Sequence, residues 1–423
     1  MLMKLNVLFT VCLFPAVVWG QRSPQGSWFV DGNKDKFENR SHTSVESFEQ
    51  GMSVIYATNG TELYLTQLRM NKTSGGINDD KRRENGVNSA LLADGGCMVY
   101  VDQCTVTSHA PQADGITMSG QGTKAILTRG KVTTNRQGSA GICSINEAEI
   151  DVTKTDIRTI DHQSPCFYAS NNGKLLLKEA TSQSTGQASP LFNTKGGIIE
   201  TEKCRMSSGR WTIGSVFGGK MELKTSELKS GGVSGFLIYD TDKERKEKLT
   251  EGTLVLRKNT LSIGEGPLIL ITNAYGNVFL TGNKISCRND VIIALQRDDW
   301  GPKGYNQGEG VIELEKQTLS GDIFVDSLSS VELKLHKSGK LYGRITGDPT
   351  DMRTVRVHMG KGSMWSAKGD VYITSIEFDQ PLKKGLKQLK GRHTIWYDPA
   401  DPANAPLEGK ELKTGGGMLR PIK

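Results

Sequence analysis

The stretch "GNVFLTGNKISCRND", residues 276–290, alternates apolar and polar side chains through Val278, Leu280 and Ile285. That is the period-two pattern of a half-buried strand. Its turns end in Gly and Asn, and no hairpin signal leads to an antiparallel neighbour. A short strand cannot bury its face alone, so the partner must lie elsewhere in the chain.

A search for internal repeats supplies it. "VFLTGNKI" at Val278 recurs as "LYLTQLRM" (Leu63), "VYVDQCTV" (Val99), "AILTRGKV" (Ala125) and "IDVTKTDI" (Ile150). It continues as "LLLKEATS" (Leu175), "IETEKCRM" (Ile199), "MELKTSEL" (Met221) and "LVLRKNTL" (Leu254), then "IELEKQTL" (Ile312), "VELKLHKS" (Val331) and "VYITSIEF" (Val371). Most starts lie 22 to 26 residues apart, with the first, third and eighth positions nearly always apolar. Units this small bury their faces only by stacking. About two short strands fit in each, the second coming from runs such as "NSALLADGG", "GFLIYD" and "LILITNAYG". Successive units then pair in parallel, roughly 4.8 Å apart, with right-handed connections. The expected fold is all-β: a single-stranded, right-handed parallel β-helix of about twelve coils, on the order of 60 Å long. A leucine-rich repeat is disfavoured because its Leu spacing and Asn ladder are missing.

The rest of the chain fits around that solenoid. Residues 1–20 carry Lys4, an apolar run from Leu5 to Val18, and small residues before Gln21, the pattern of a cleaved signal peptide. No later stretch is long and apolar enough to span a bilayer, so a secreted or cell-surface location is expected. Residues 21–50 read as a polar leader or N-terminal cap, 51–398 as the β-helix and 399–423 as a C-terminal tail. The charge of +7 falls to +6 without Lys4, its signs are interspersed, and no nucleic-acid motif accompanies it. Six cysteines remain after cleavage: Cys97, Cys104, Cys143, Cys166, Cys204 and Cys287. Cys104 and Cys204 fall four coils apart, and Cys143 and Cys166 lie on a diagonal at the limit of disulfide reach, so unpaired thiols are expected.

The repeats, the tail "TIWYDPADPANAPLEGKELKTGGGMLRP" and "ITNAYGNVFLTGNKIS" followed by "RDDWGPKGYNQGEG" resemble secreted bacterial β-helix proteins. These are the adhesin-like relatives within the pectin-lyase-like architecture, and the likeness runs from about residue 50. It implies the fold and little about activity, because that architecture hosts lyases, hydrolases and plain binding proteins alike.

Chemistry must therefore be sought at a site. The clustered aspartates, Gly-His-Gly and Arg-Ile-Lys motifs of pectin-cleaving hydrolases are missing, and the six histidines occur singly. No nucleophile elbow, phosphate loop or zinc-spaced cluster is present. Stacked carboxylates are one candidate: Glu200 on Glu222, and Glu313 on Glu332, roughly 5 Å apart as in a retaining glycosidase, or as part of a Ca²⁺ site. Against this, Glu202 should neighbour Lys224 and Glu315 should neighbour Lys334, a neutralised charge ladder. No cofactor is called for.

The other candidate comes from three places where the repeat stretches, at "SGGINDDKRREN", "DTDKERKEKLTEG" and "RDDWGPKGYNQGEG". The second and third excesses follow the first strand of their coils. They should leave one edge two coils apart, about 10 Å, and wall a cleft floored by residues 268–281. The third loop brings Trp300 and Tyr305 beside Arg297, Asp298, Asp299 and Asn306; the second brings Tyr239, Lys243, Arg245 and Lys246. Aromatic faces with a few polar groups suit a sugar ring. The leading expectation is a non-catalytic binding or adhesion protein for a polysaccharide, a host or cell-surface glycan, or a protein. The alternatives are a polysaccharide lyase or hydrolase, and a structural envelope component.

Overall fold

A computed structural model describes residues 24–77, 85–245, 248–346 and 354–422; the expected signal peptide and Lys246 lie outside them. Within these residues the chain is an all-β parallel solenoid with only 4% helix. Three long sheets run along it, with 13, 14 and 10 strands. We name them sheets I, II and III in the order the chain visits them. The longest has one strand per coil, so the expected twelve coils become at least fourteen.

Each coil contributes three strands rather than the expected two, and the opening stretch shows why. Residues 276–290 are not one strand but two: Ala274–Thr281 in sheet II and Lys284–Cys287 in sheet III. Between them Gly282 takes φ +62°. The same corner recurs along the coils at His42, Gln67, Gln103, Arg129, Lys154, Glu179, Lys203, Thr225, Lys258 and Lys316, with φ between 48° and 56°. A left-handed residue bends the chain sharply. The eighth apolar position of each repeat therefore belongs to a separate strand on the third face.

Register bears out the stacking of most repeats. Leu63, Val99, Ala125, Ile150, Leu175, Ile199, Met221, Leu254, Val278 and Ile312 form one continuous row in sheet II. Two residues on, Leu177, Leu223, Leu256, Leu280 and Leu314 all face the lumen and are at most 2% exposed. Beyond Ile312 the expected alignment slips. Leu333, not Val331, faces Ile312, and Glu332 sits beside Val311. "VELKLH" is apolar at every second position, so shifting it by two keeps the same face inward and the pattern does not fix the register. The next sheet II strand is Thr354–Met359, which the repeat search missed. Val371 lies in another sheet, and Ile376 takes the row position beside Val357.

The ends are built from the same material. Gly26–Asp31, Phe37–Ser41 and Ser44–Ser47 supply the first strands of sheets I, II and III, so coiling starts within the 21–50 segment. At the other end Met418–Pro421 pairs with Thr394–Tyr397 in parallel and with Leu412–Lys413 antiparallel.

Corner backbone groups are satisfied by side chains that stack inside the solenoid. The Oδ1 of Asn283 accepts from the N–H of Asn259 at 3.0 Å, and Oε1 of Gln317 accepts from the N–H of Asn283 at 2.7 Å. Oδ1 of Asn259 accepts in turn from the N–H of Ser226 at 2.9 Å. A second ladder of buried serines does the same at the corner from sheet III to sheet I. There Ser164 Oγ accepts from Ser139 N–H at 3.1 Å, and Ser189 Oγ from Ser164 N–H at 2.9 Å. So the solenoid does carry a short amide ladder, signalled by "KNT", "GNK" and "KQT" at one repeat position.

Cys143 and Cys166 are not bridged. Cys143 pairs in register with Tyr168 and packs with Ala140 and Ile145 in a small cluster apart from the main core, whereas Cys166 belongs to the core. Cys97, Cys104, Cys166, Cys204 and Cys287 are thiols. Burial pushes the Cys166 thiol up to about 12 and those of Cys97 and Cys204 to about 11, which removes their nucleophilic thiolate form.

Two outcomes test this architecture. Leu280→Ala should destabilise the protein by about 2–5 kcal/mol in urea unfolding, because a fully buried leucine leaves a cavity. Thr225→Gly should instead stabilise by about 0.5–1 kcal/mol, since a β-branched residue is strained at positive φ more than glycine costs in entropy; a loss of stability would place the corner in another conformation.

Candidate functional site

The second and third excess loops occupy the same corner. Residues 240–249 connect Phe236–Tyr239 of sheet I to Thr250–Arg257 of sheet II. Residues 296–307 connect Val291–Leu295 to Gly308–Glu315 across the same two sheets. One coil lies between them, Ile269–Thr272 followed by Ala274–Thr281, with Asn273 alone at its corner. The first excess leaves the corner from sheet III to sheet I, and residues 78–84 of it lie outside the described part.

The two loops meet rather than stand apart. Arg245 donates through Nη1 to Asp240 Oδ2 at 2.8 Å and to the Asn273 carbonyl at 2.9 Å. Its Nη2 donates to Asn273 Oδ1 and, at 2.9 Å, to the carbonyl of Tyr305 in the other loop. The guanidinium and its carboxylate are both buried, with side chains 9% and 2% exposed. Asn273 holds a left-handed φ of 53° and donates through Nδ2 to the Asp240 carbonyl at 2.7 Å. A Cβ on Gly301 would come within 2.1 Å of the Asn273 Oδ1, so only glycine lets the third loop pass over that amide. The expected floor exists, but an arginine fills the gap above it. The cleft is closed into a joint.

The remaining candidates separate accordingly. Tyr239 and Trp300 pack edge to face, 5.7 Å between ring centroids, and Tyr239 packs in the same way on Phe217 at 5.8 Å. Burial raises the Tyr239 hydroxyl to about 12. Asn306 is buried and donates to the Asp298 carbonyl, while burial also pushes the Asp298 carboxyl up. Arg297 turns away: its backbone N–H donates to Asp326 Oδ2 at 2.7 Å, and its Nε lies 3.9 Å from the same oxygen. Lys243 and Asp299 are exposed, and Tyr305 is 56% exposed. Trp300 is half-buried. Among the described residues, the loops offer outward the aromatic side chains of Trp300 and Tyr305. Asn273 and Phe217, which tie them to the solenoid, were not singled out from sequence. Asn273 stands alone between two apolar runs, as Gly218 does two coils earlier, where the other coils spend two or more residues; that short turn is the one signal it leaves.

The carboxylate candidates fare unequally. Glu200 and Glu222 are direct neighbours across sheet II. Glu313 and Glu332 are not; Glu313 faces Lys334, and Glu315 faces His336 rather than Lys334. This follows from the two-residue slip described above. Glu222 is gripped by Lys220 at 2.6 Å, Lys224 at 2.9 Å and Arg257 at 3.5 Å. Burial would raise its carboxyl, but hydrogen bonds from Lys220 and Lys224 outweigh this and hold it below the usual range. Such a group is neither a proton donor near neutrality nor a free metal ligand. Among the described residues no three His, Cys, Asp or Glu converge as a metal site requires. Two histidines do come together: the rings of His336 and His358 lie 6.0 Å apart, flanked by Glu313 at 3.5 Å and Asp379 at 2.8 Å.

Arg245→Met should cost roughly 3–5 kcal/mol, because Asp240 would stay buried without its counter-charge. Native-state proteolysis of the variant should cut in 240–249 or 296–307 first; protection equal to that of the parent would show that the two loops are held independently.

No helix among the described residues is long and apolar enough to cross a membrane. No protein-family model, no curated protein and no solved structure matches the chain.

Proposed function

We propose that the protein is an exported, non-catalytic binding solenoid whose loop joint presents an aromatic surface to a glycan on a host or cell surface. The observation that carries this reading is the ring series Phe217, Tyr239 and Trp300, each edge to face with the next, beside the exposed Tyr305. Aromatic faces pair an apolar body with a polar tip, the combination a sugar ring meets best. The buried Arg245–Asp240 pair fixes the loops that carry them, and a pre-organised surface loses little entropy on binding. Among the carboxylates, the clamped state of Glu222 argues against lyase or hydrolase chemistry at the Glu200–Glu222 pair. The reading sets the chain beside adhesin-like secreted β-helix proteins, with residues 1–20 removed on export and no cofactor engaged.

A glycan array with the protein starting at Gln21 tests the ligand class. For any glycan retained there, Trp300→Ala should weaken binding by roughly 1–3 kcal/mol through lost aromatic burial, measured by calorimetry. Glu200→Ala, several coils away, should leave affinity unchanged. Equal affinity of parent and Trp300 variant would remove the joint from the binding surface.

A further inference from the structure

The outer face of sheet III carries a second feature that the loop joint does not use. A shallow trough of about 350 Å³ runs across four successive strands, Asp156–Thr159, Thr181–Ser184, Arg205–Ser208 and Glu227–Ser230. We propose that this face binds an extended acidic glycan, a chain bearing sulfate or carboxylate on successive sugars.

Charge is the first reason. Two outward columns run along the sheet from Lys131 to Ser286, in register through six strand pairings. They hold the cations Lys131, Arg158, Arg205, Lys229 and Lys284, against the carboxylates Asp156 and Glu227 alone. Both carboxylates are already engaged. Asp156 accepts from Thr181 at 3.0 Å and lies 3.3 Å from Arg158 Nε, and Glu227 lies 3.2 Å from Arg205 Nε and 2.9 Å from Lys229. Each arginine meets its carboxylate through Nε, and its terminal nitrogens make no hydrogen bond among the described residues. Those are the groups that grip carboxylate and sulfate in pairs.

Shape is the second reason. The rungs recur about every 4.8 Å, about the advance of one pyranose residue along an extended chain. Arg158 and Lys229 stand three rungs apart, about 14 Å, with Gln183 and Ser207 between them in the same column. The pattern is cation, two neutral hydrogen-bonding groups, cation: a linear ligand meets a charge at each end and hydroxyl partners in the middle. No aromatic side chain faces outward on these strands. Single-stranded nucleic acid draws its sequence-independent affinity from base stacking on such rings, so the face suits a glycan better than an oligonucleotide.

The test uses the full chain from Gln21 and a fluorescent heparin hexasaccharide as probe, titrated over a range of salt. The triple variant Arg158→Gln, Arg205→Gln, Lys229→Gln should lose about tenfold or more in affinity, and its log K against log[salt] slope should shrink by about one per cation removed. Lys124→Gln, Lys174→Gln, Lys178→Gln, which removes equal charge from the outer face of sheet II, should lose about twofold or less by the same electrostatics. Gln183→Glu leaves every ion pair standing and places a carboxylate in the trough; it too should lose about tenfold through like-charge repulsion. Trp300→Ala should not change hexasaccharide binding, so failure of this site and failure of the loop joint are distinguishable. Equal losses in the two triple variants, or tighter binding of oligothymidylate carrying the same charge, would overturn the proposal.

Discussion

The coiling of this structure depends on one backbone constraint, a left-handed residue at the same corner of the successive coils from His42 to Lys316. Leu256 and Leu261 are five apart, so on a straight strand they would face opposite sides. Lys258 at φ 54° turns the chain between them, and both side chains end in the lumen. The column runs from His42 to Lys316, and nearly all of it is built from residues other than glycine. Each such residue carries roughly 1–2 kcal/mol of steric cost. The parallel ladders and the apolar rows they align offset it, which is how a stacked repeat stabilises a local conformation that a lone unit would not keep.

The same corner creates a second need. Turning a strand inward strands backbone N–H groups near an apolar lumen, where an unmet donor is costly. Asn259, Asn283 and Gln317 meet it by stacking amides from coil to coil, and Ser139, Ser164 and Ser189 do so at the opposite corner. Asn273 extends the solution into the loop joint. There one buried amide bonds Asp240 and Arg245 together, and through them the loop that carries Trp300. The aromatic surface is thus an outgrowth of the device that holds the coils.

How far the sequence reaches is clear from single residues. Leu177, Leu223, Leu256, Leu280 and Leu314 declared their shared row through a repeat of near-constant length, because period-two alternation over many units leaves one face to bury. The shared edge of the two late loops followed from where they interrupt the repeat. The third sheet escaped notice because Gly282 and its equivalents read as ordinary turn or strand residues; a φ angle leaves no mark in an apolar–polar pattern.

By itself, then, the sequence determined a parallel stacked solenoid, its inward rows and the corner from which its long loops leave, since these are properties of periodicity. Only the tertiary structure decided the rest. It closed the expected cleft, because Arg245 reaches Tyr305 sixty residues away. It separated Glu313 from Glu332, because alternation cannot distinguish registers two residues apart. It also gathered Arg158, Arg205 and Lys229 along one trough, although they are spread over some seventy residues of the chain. Charge proximity across coils is set by the number of residues spent at each corner, and no local stretch of sequence contains that count.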